Sequence, residues 1–149
     1  MAACLIDTNV WLAALFSSHP FHTHAQKALQ QATPAQPALW CRATQQSFLR
    51  LASTPALHQV YDTKGMTNRD ALVAMDALQA LPQVALLDEP SGTVALWRTL
   101  AGLASASPKV WMDAYLAAFA IAGGLRMVTL DRDFKNFVPQ GLDLALLTA

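Results

Sequence analysis

Short apolar runs alternate along this chain with longer stretches in which apolar residues recur every three or four positions. Ala3-Cys4-Leu5-Ile6 is too short a run for a helix and stops at Asp7, which predicts a buried strand. Residues 9–16 predict a short helix, and Ser17-Ser18-His19-Pro20 a turn. Phe21, Ala25, Ala28, Leu29 and Ala32 share one face of a second helix, which Thr33-Pro34-Ala35-Gln36-Pro37 breaks. Residues 38–41 predict a second strand. Residues 43–53 predict a helix with Phe48, Leu49 and Ala52 inward. Residues 54–67 hold Pro55, Gly65 and little periodicity, and read as a loop. Asn68 suits the N-cap of a helix reaching Leu81, with Leu72, Met75 and Leu78 as its stripe.

Residues 84–87 predict a third strand, and Ser91 caps a helix carrying Val94, Trp97 and Leu100. Ser107 before Pro108 reads as a cap with proline at the first helical position. That helix runs to Ala122 and closes at Gly123-Gly124. Residues 126–130 form a strand that ends at Asp131, and residues 144–147 a last one. Strands separated by helices predict an α/β chain, its parallel sheet covered on both faces. Ligands of such sheets bind outside the carboxyl ends of the strands.

Composition narrows the class. The 149 residues favour one domain spanning 1–149. With 54% hydrophobic and 13% charged residues, the chain is not intrinsically disordered. No apolar run approaches the ~20 residues of a membrane span. Asp7 interrupts the place of a signal-peptide core, so a cytoplasmic protein is expected. Cys4 and Cys41 read as two buried thiols in a reducing compartment. Ten basic residues balance ten acids, so no bulk basic field points to nucleic acid. Inside that balance, nine of the acids are Asp and only Glu89 is Glu.

Four of these acids stand in hydrophobic frames. Asp7 and Asp131 each follow a strand, on the same edge of the sheet. Asp133 lies two residues further, and Asp113 sits early in an otherwise apolar helix. Each has a structural alternative: Asp7 as a helix N-cap, Asp131 as a turn residue, Asp113 as a partner of Lys109. Together they suggest one site. Clustered carboxylates repel unless a cation neutralises them, and an all-oxygen set suits Mg²⁺ or Mn²⁺. Such a site supports metal-assisted phosphodiester hydrolysis. The chain lacks Gly-x-Gly-x-x-Gly and Gly-Lys-Ser/Thr, which argues against a nucleotide cofactor. Asn9, two residues after Asp7, stands where a haloacid-dehalogenase-type phosphatase needs Asp. His19, His22 and His24 read as loop and helix surface. The four tryptophans read as packing residues. Arg42, Arg50, Lys109, Arg132 and Lys135 lie in or near the motif segments and can reach phosphates.

Three segments in order, Leu5-Ile6-Asp7-Thr8-Asn9-Val10, Trp111-Met112-Asp113-Ala114-Tyr115-Leu116-Ala117-Ala118 and Val128-Thr129-Leu130-Asp131-Arg132-Asp133-Phe134, resemble the PIN-domain ribonucleases. The closer resemblance is to the VapC toxins of bacterial toxin–antitoxin pairs, and it covers essentially the whole chain. It implies a three-layer α/β/α fold with a parallel sheet of four or five strands. It also implies a Mg²⁺- or Mn²⁺-dependent endoribonuclease that is toxic by cutting RNA. Carried over by position, Asp7, Asp113 and Asp131 bind metal, and Asp133 is a fourth candidate. Thr8 and Asn9 position the Asp7 loop and a phosphate or water. A homodimer and a small VapB-like antitoxin that fills the groove are implied as partners. One departure stands out. PIN domains commonly carry a Glu in the helix after the second strand, where this chain has Gln45. Gln45 shares a face with Phe48, Leu49 and Ala52, and it is expected to face the site. An amide supplies no charge, so one firmly bound ion is expected. The competing readings are a PIN nuclease outside toxin systems, acting in RNA or DNA processing, and a catalytically degenerate PIN binding module.

Overall fold

The computed structural model describes residues 2–148, so both terminal residues of the expected 1–149 domain lie outside the described ones. The chain runs β1 (Cys4–Ile6), α1 (Thr8–Leu15), α2 (His22–Gln31), β2 (Ala38–Trp40), α3 (Arg42–Ala52), α4 (Pro55–Val60) and α5 (Asn68–Gln79). It continues through β3 (Val84–Leu86), α6 (Thr93–Ala101), α7 (Val110–Ala122), β4 (Arg126–Thr129), a 3-10 segment (Arg132–Gln140) and β5 (Asp143–Leu146). The five strands form one sheet in the order β3-β2-β1-β4-β5, and every pairing is parallel.

The two-residue period of a strand sends alternate side chains to opposite faces, and each face has its own core. Leu5, Leu39 and Met127 pack with Ala114, Ala117 and Phe119 of α7. Ile6, Trp40 and Val128 pack with Val10 and Trp11 of α1 and Phe48 of α3. This second core centres on a stack of Trp11 on Trp40, ring centroids 3.9 Å apart and planes within 3°. Phe48 meets the edge of Trp40 at 5.2 Å. Such ring pairs each add about 0.5–1.5 kcal/mol beyond the apolar area they bury.

The chain departs from its expected elements in several places. Residues 54–67 are not all loop. Pro55 opens the short helix α4, where its missing N–H costs nothing. Thr67, not Asn68, caps α5, in a reciprocal box with Asp70. Ala71 and Met75 form the buried stripe of α5, while Leu72 is largely exposed. Gly92, at φ +87°, rather than Ser91, precedes α6. The following Thr93 is buried with its hydroxyl donating to the Pro90 carbonyl at 2.8 Å. Val94 of that helix is exposed. α7 begins at Val110, so Ser107 and Pro108 precede the helix instead of capping it. Trp11 and Trp40 are core, whereas Trp111 is 52% exposed. Cys41 is buried, but Cys4 only partly so.

The sheet order sets the position of the site. From central β1 the chain steps outward through β2 and β3, then returns to β4 on the other side. The connections after β1 and β4 therefore leave in opposite directions, opening a crevice at the carboxyl ends of these two strands. Asp7 and Asp131 follow those two strands. Among the described residues, no helix is long and apolar enough to cross a membrane.

Candidate active site at the carboxyl edge of the sheet

Asp7 leaves β1 in extended conformation and caps α1. Its Oδ1 accepts from the Thr8 N–H at 2.7 Å, and its Oδ2 from the Thr129 hydroxyl at 2.7 Å. The structural alternative for Asp7 is thus real, but it does not exhaust the group. Each carboxylate oxygen has a second lone-pair direction free for a cation or a proton. Asp7 is 8% exposed. Burial pushes its carboxyl above the ordinary range, and the charge of Asp131 adds to this; the Thr129 and Thr8 hydrogen bonds oppose it.

Thr129, the last residue of β4, is fully buried and joins the two strand ends. Besides donating to Asp7, its Oγ1 accepts from the Asp131 N–H at 3.0 Å and from the Asn9 amide at 3.4 Å. The Asn9 carbonyl oxygen accepts from the Leu130 N–H at 3.2 Å. Asn9 therefore ties the start of α1 to the end of β4. Sequence reasoning missed Thr129 as a functional residue. The available signal was a hydroxyl residue ending an apolar strand two positions before an acid.

Asp131 caps the 3-10 segment, accepting from the Asp133 N–H at 2.9 Å. It is half-buried and Asp133 is exposed. Asp113 comes from a different part of the chain. It lies in the first turn of α7, whose start reaches the same edge because the helix runs back to feed β4. Lys109 forms no ion pair with it among the described residues. Its carboxyl is pushed up to about 6, first by burial and then by the charges of Asp131, Asp7 and Asp133. The charges of the other three acids picked out in the sequence thus all act on Asp113. Among the described residues no three His, Cys, Asp or Glu side chains stand in a ready-made cation cage. The donor set nevertheless fits a hard divalent ion. It is all oxygen, it carries uncompensated negative charge, and Mg²⁺ needs only one or two carboxylates beside water and phosphate.

Gln45 is 4% exposed, and its hydrogen bonds run to Arg42 and to Gln79, not to the acids. The His22 Nδ1–H donates to the Ala13 carbonyl, 2.8 Å away, a packing role. Beside Asp113 and Asp133 lies a cavity of about 540 Å³, walled by Leu100, Leu103, Val110 and Phe137.

A parallel sheet with acids gathered at its switch point defines the class. Residues 4–138 match the PIN domain family model, and the chain belongs to that family. It is 42% identical over 144 residues to Ribonuclease VapC41 of Mycobacterium tuberculosis, covering 96% of this chain and 97% of the relative. Among solved structures it is similar to M. tuberculosis VapC20, described as a sarcin-ricin loop cleaving toxin (TM-score 0.61, 17% identity, 94% of this chain and 96% of the other). It is also similar to VapBC2 from Rickettsia felis, bound to a DNA fragment from its promoter (TM-score 0.58, 16% identity, 97% and 98%). At such identities these two structures speak for the fold, a five-stranded parallel α/β sheet.

Proposed function

We propose that this chain is the toxin of a type II toxin–antitoxin pair, an endoribonuclease acting in the cytoplasm as a single PIN domain. The observation that carries the reading is the site itself: Asp7, Asp113 and Asp131 reach one edge of the sheet from three separate segments, and burial, then the charges of Asp131, Asp7 and Asp133, raise the carboxyl of Asp113. Asp7, Asp113 and Asp131 would hold a Mg²⁺ or Mn²⁺ ion, with Asp133 at the outer rim. When bound, such an ion supplies positive charge against the carboxylates and polarises the phosphodiester. The residues of the chain do the rest. Thr129 and the Thr8 N–H orient the Asp7 carboxylate, and Asn9 locks the loop that carries it to β4. Trp111 and Met112, each 52% exposed beside Asp113, give a small antitoxin or a second copy of the chain an apolar surface to cover. The 42% identity to a ribonuclease over nearly the full length supports the RNA reading.

The test is cleavage of total RNA by the purified chain with Mg²⁺ or Mn²⁺, with the new ends mapped. EDTA and Asp7→Asn should each abolish cutting. Activity surviving both would overturn the metal site.

A further inference from the structure

Gln45 is the residue that the acid cluster leaves unexplained. It is buried and polar, in the first turn of α3, and both ends of its amide are engaged. Arg42 Nη1 donates to its Oε1 at 2.5 Å. Arginine has donors only, so this bond fixes the amide orientation and turns Nε2 away. That Nε2 donates to Oε1 of Gln79, at the end of α5. One glutamine, held in place by a second from the packed helix α5, thus orients the guanidinium. Arg42 itself is exposed and makes no ion pair with a carboxylate among the described residues. Asp88 and Glu89 line the same small cavity, and Glu89 already accepts from the Tyr115 hydroxyl at 2.6 Å.

The sheet places Arg42 at the same carboxyl edge as the acids, one strand over from Asp7. β1 and β2 pair with Leu5 opposite Leu39, so Asp7 and Cys41, each the residue after its strand, leave neighbouring strands at the same level of the sheet. Arg42 is the next residue.

We propose that Arg42, oriented by the Gln45–Gln79 pair, is a phosphate-binding residue that anchors the RNA strand on the β2 side of the acid cluster. The inference rests on the ribonuclease reading and extends it. The chemistry explains why the position holds an amide. A glutamate at 45 would orient Arg42 equally well but would neutralise it. Glutamine orients the guanidinium without adding a negative charge in contact with it.

Counterion release gives the test, because each phosphate contact to a single strand contributes about 0.7 to the slope of log K against log salt. Binding of a fluorescein-labelled, mixed-sequence single-stranded RNA would be followed by anisotropy in EDTA, so that nothing is cut. Salt would run from about 50 to about 200 mM KCl. Arg42→Ala should reduce the slope by about 0.7 and weaken binding, with a modest fall in melting temperature because the Gln45 Oε1 loses its donor. Arg42→Lys should keep the slope, because the charge remains. Gln45→Glu should behave as Arg42→Ala does, because the new carboxylate takes the guanidinium. An unchanged slope in Arg42→Ala, with the parent chain binding RNA normally, overturns the proposal and leaves the ribonuclease reading standing. So does a Gln45→Glu variant that binds Mn²⁺ more tightly by calorimetry while its RNA slope stays that of the parent. A parent chain that neither binds nor cuts RNA removes both.

Discussion

The two acids at the heart of the site are built differently. Asp7 is held at both oxygens, caps a helix and is linked through Thr129 to the next strand. Asp113 stands on the first turn of an apolar helix and is surrounded by negative charge. Burial raises both carboxyls, but the fold's hydrogen bonds offset the rise only for Asp7. One acid is therefore part of the architecture as well as the chemistry, while the other carries a charge that costs the fold until a proton or a cation offsets it. A site acid that stabilises the fold and one that strains it can share a ligand, but they respond oppositely to removal.

Substitution should expose this contrast at its largest in activity and stability read together. Asp7→Asn and Asp113→Asn should each lower RNA cleavage by about 100-fold or more, since both remove charge at the reacting phosphate. Asp7→Ala should in addition lose about 1–2 kcal/mol of stability in urea unfolding, because the Thr8 N–H and the Thr129 hydroxyl lose their acceptor. Asp113→Asn should lose none. Next in size is Thr129→Val, which keeps the shape and removes the hydroxyl at the hub. It should slow cleavage about 10–100-fold, the usual effect of freeing a ligand from its orienting partner. The same variant should spread the melting transitions of Asp7 and Asp113 variants less far apart, because Asp7 is then less firmly held.

The strand-end acids were legible because a strand's end is a place, and a charge closing an apolar run has few structural uses. Asp113 was legible for the same reason in a helix. The segments less well read were those where backbone geometry outranked residue preference. Gly92 took the place before α6 with a positive φ that Ser91 adopts poorly. The stripe of α5 shifted from Leu72 to Ala71 because the helix rests its small residues on α3. Thr129 and the Gln45–Gln79 pair were illegible for a deeper reason. Their partners lie 122, 120 and 34 positions away, and no local pattern announces such a bond. A polar residue inside an apolar frame is the only local trace it leaves.

The smallest expected effect is on stability against pH, and it isolates Asp113. Its carboxyl ionises near 6 in the folded chain, against 3.8 for the ordinary group. Between those values the folded state holds a proton that the unfolded state has lost. Stability from this group is then full below the lower value and falls as pH rises through the upper one. Asp7 acts in the same direction, and Asp70, lowered by its bonds to Thr67, acts in the opposite one. Comparing Asp113→Asn with the parent cancels Asp70 and leaves the Asp113 carboxyl with its coupling to Asp7. The difference in melting temperature should grow in favour of the variant from about pH 4 to about pH 6 and then level off. Half exposure to solvent keeps it to about 1–2 °C. Adding Mn²⁺ at pH 7 should reverse it, raising the parent's melting temperature and leaving the variant's nearly unmoved. A cation that stabilised both equally would place its binding away from Asp113, and the contrast between the two acids would then belong to the fold alone.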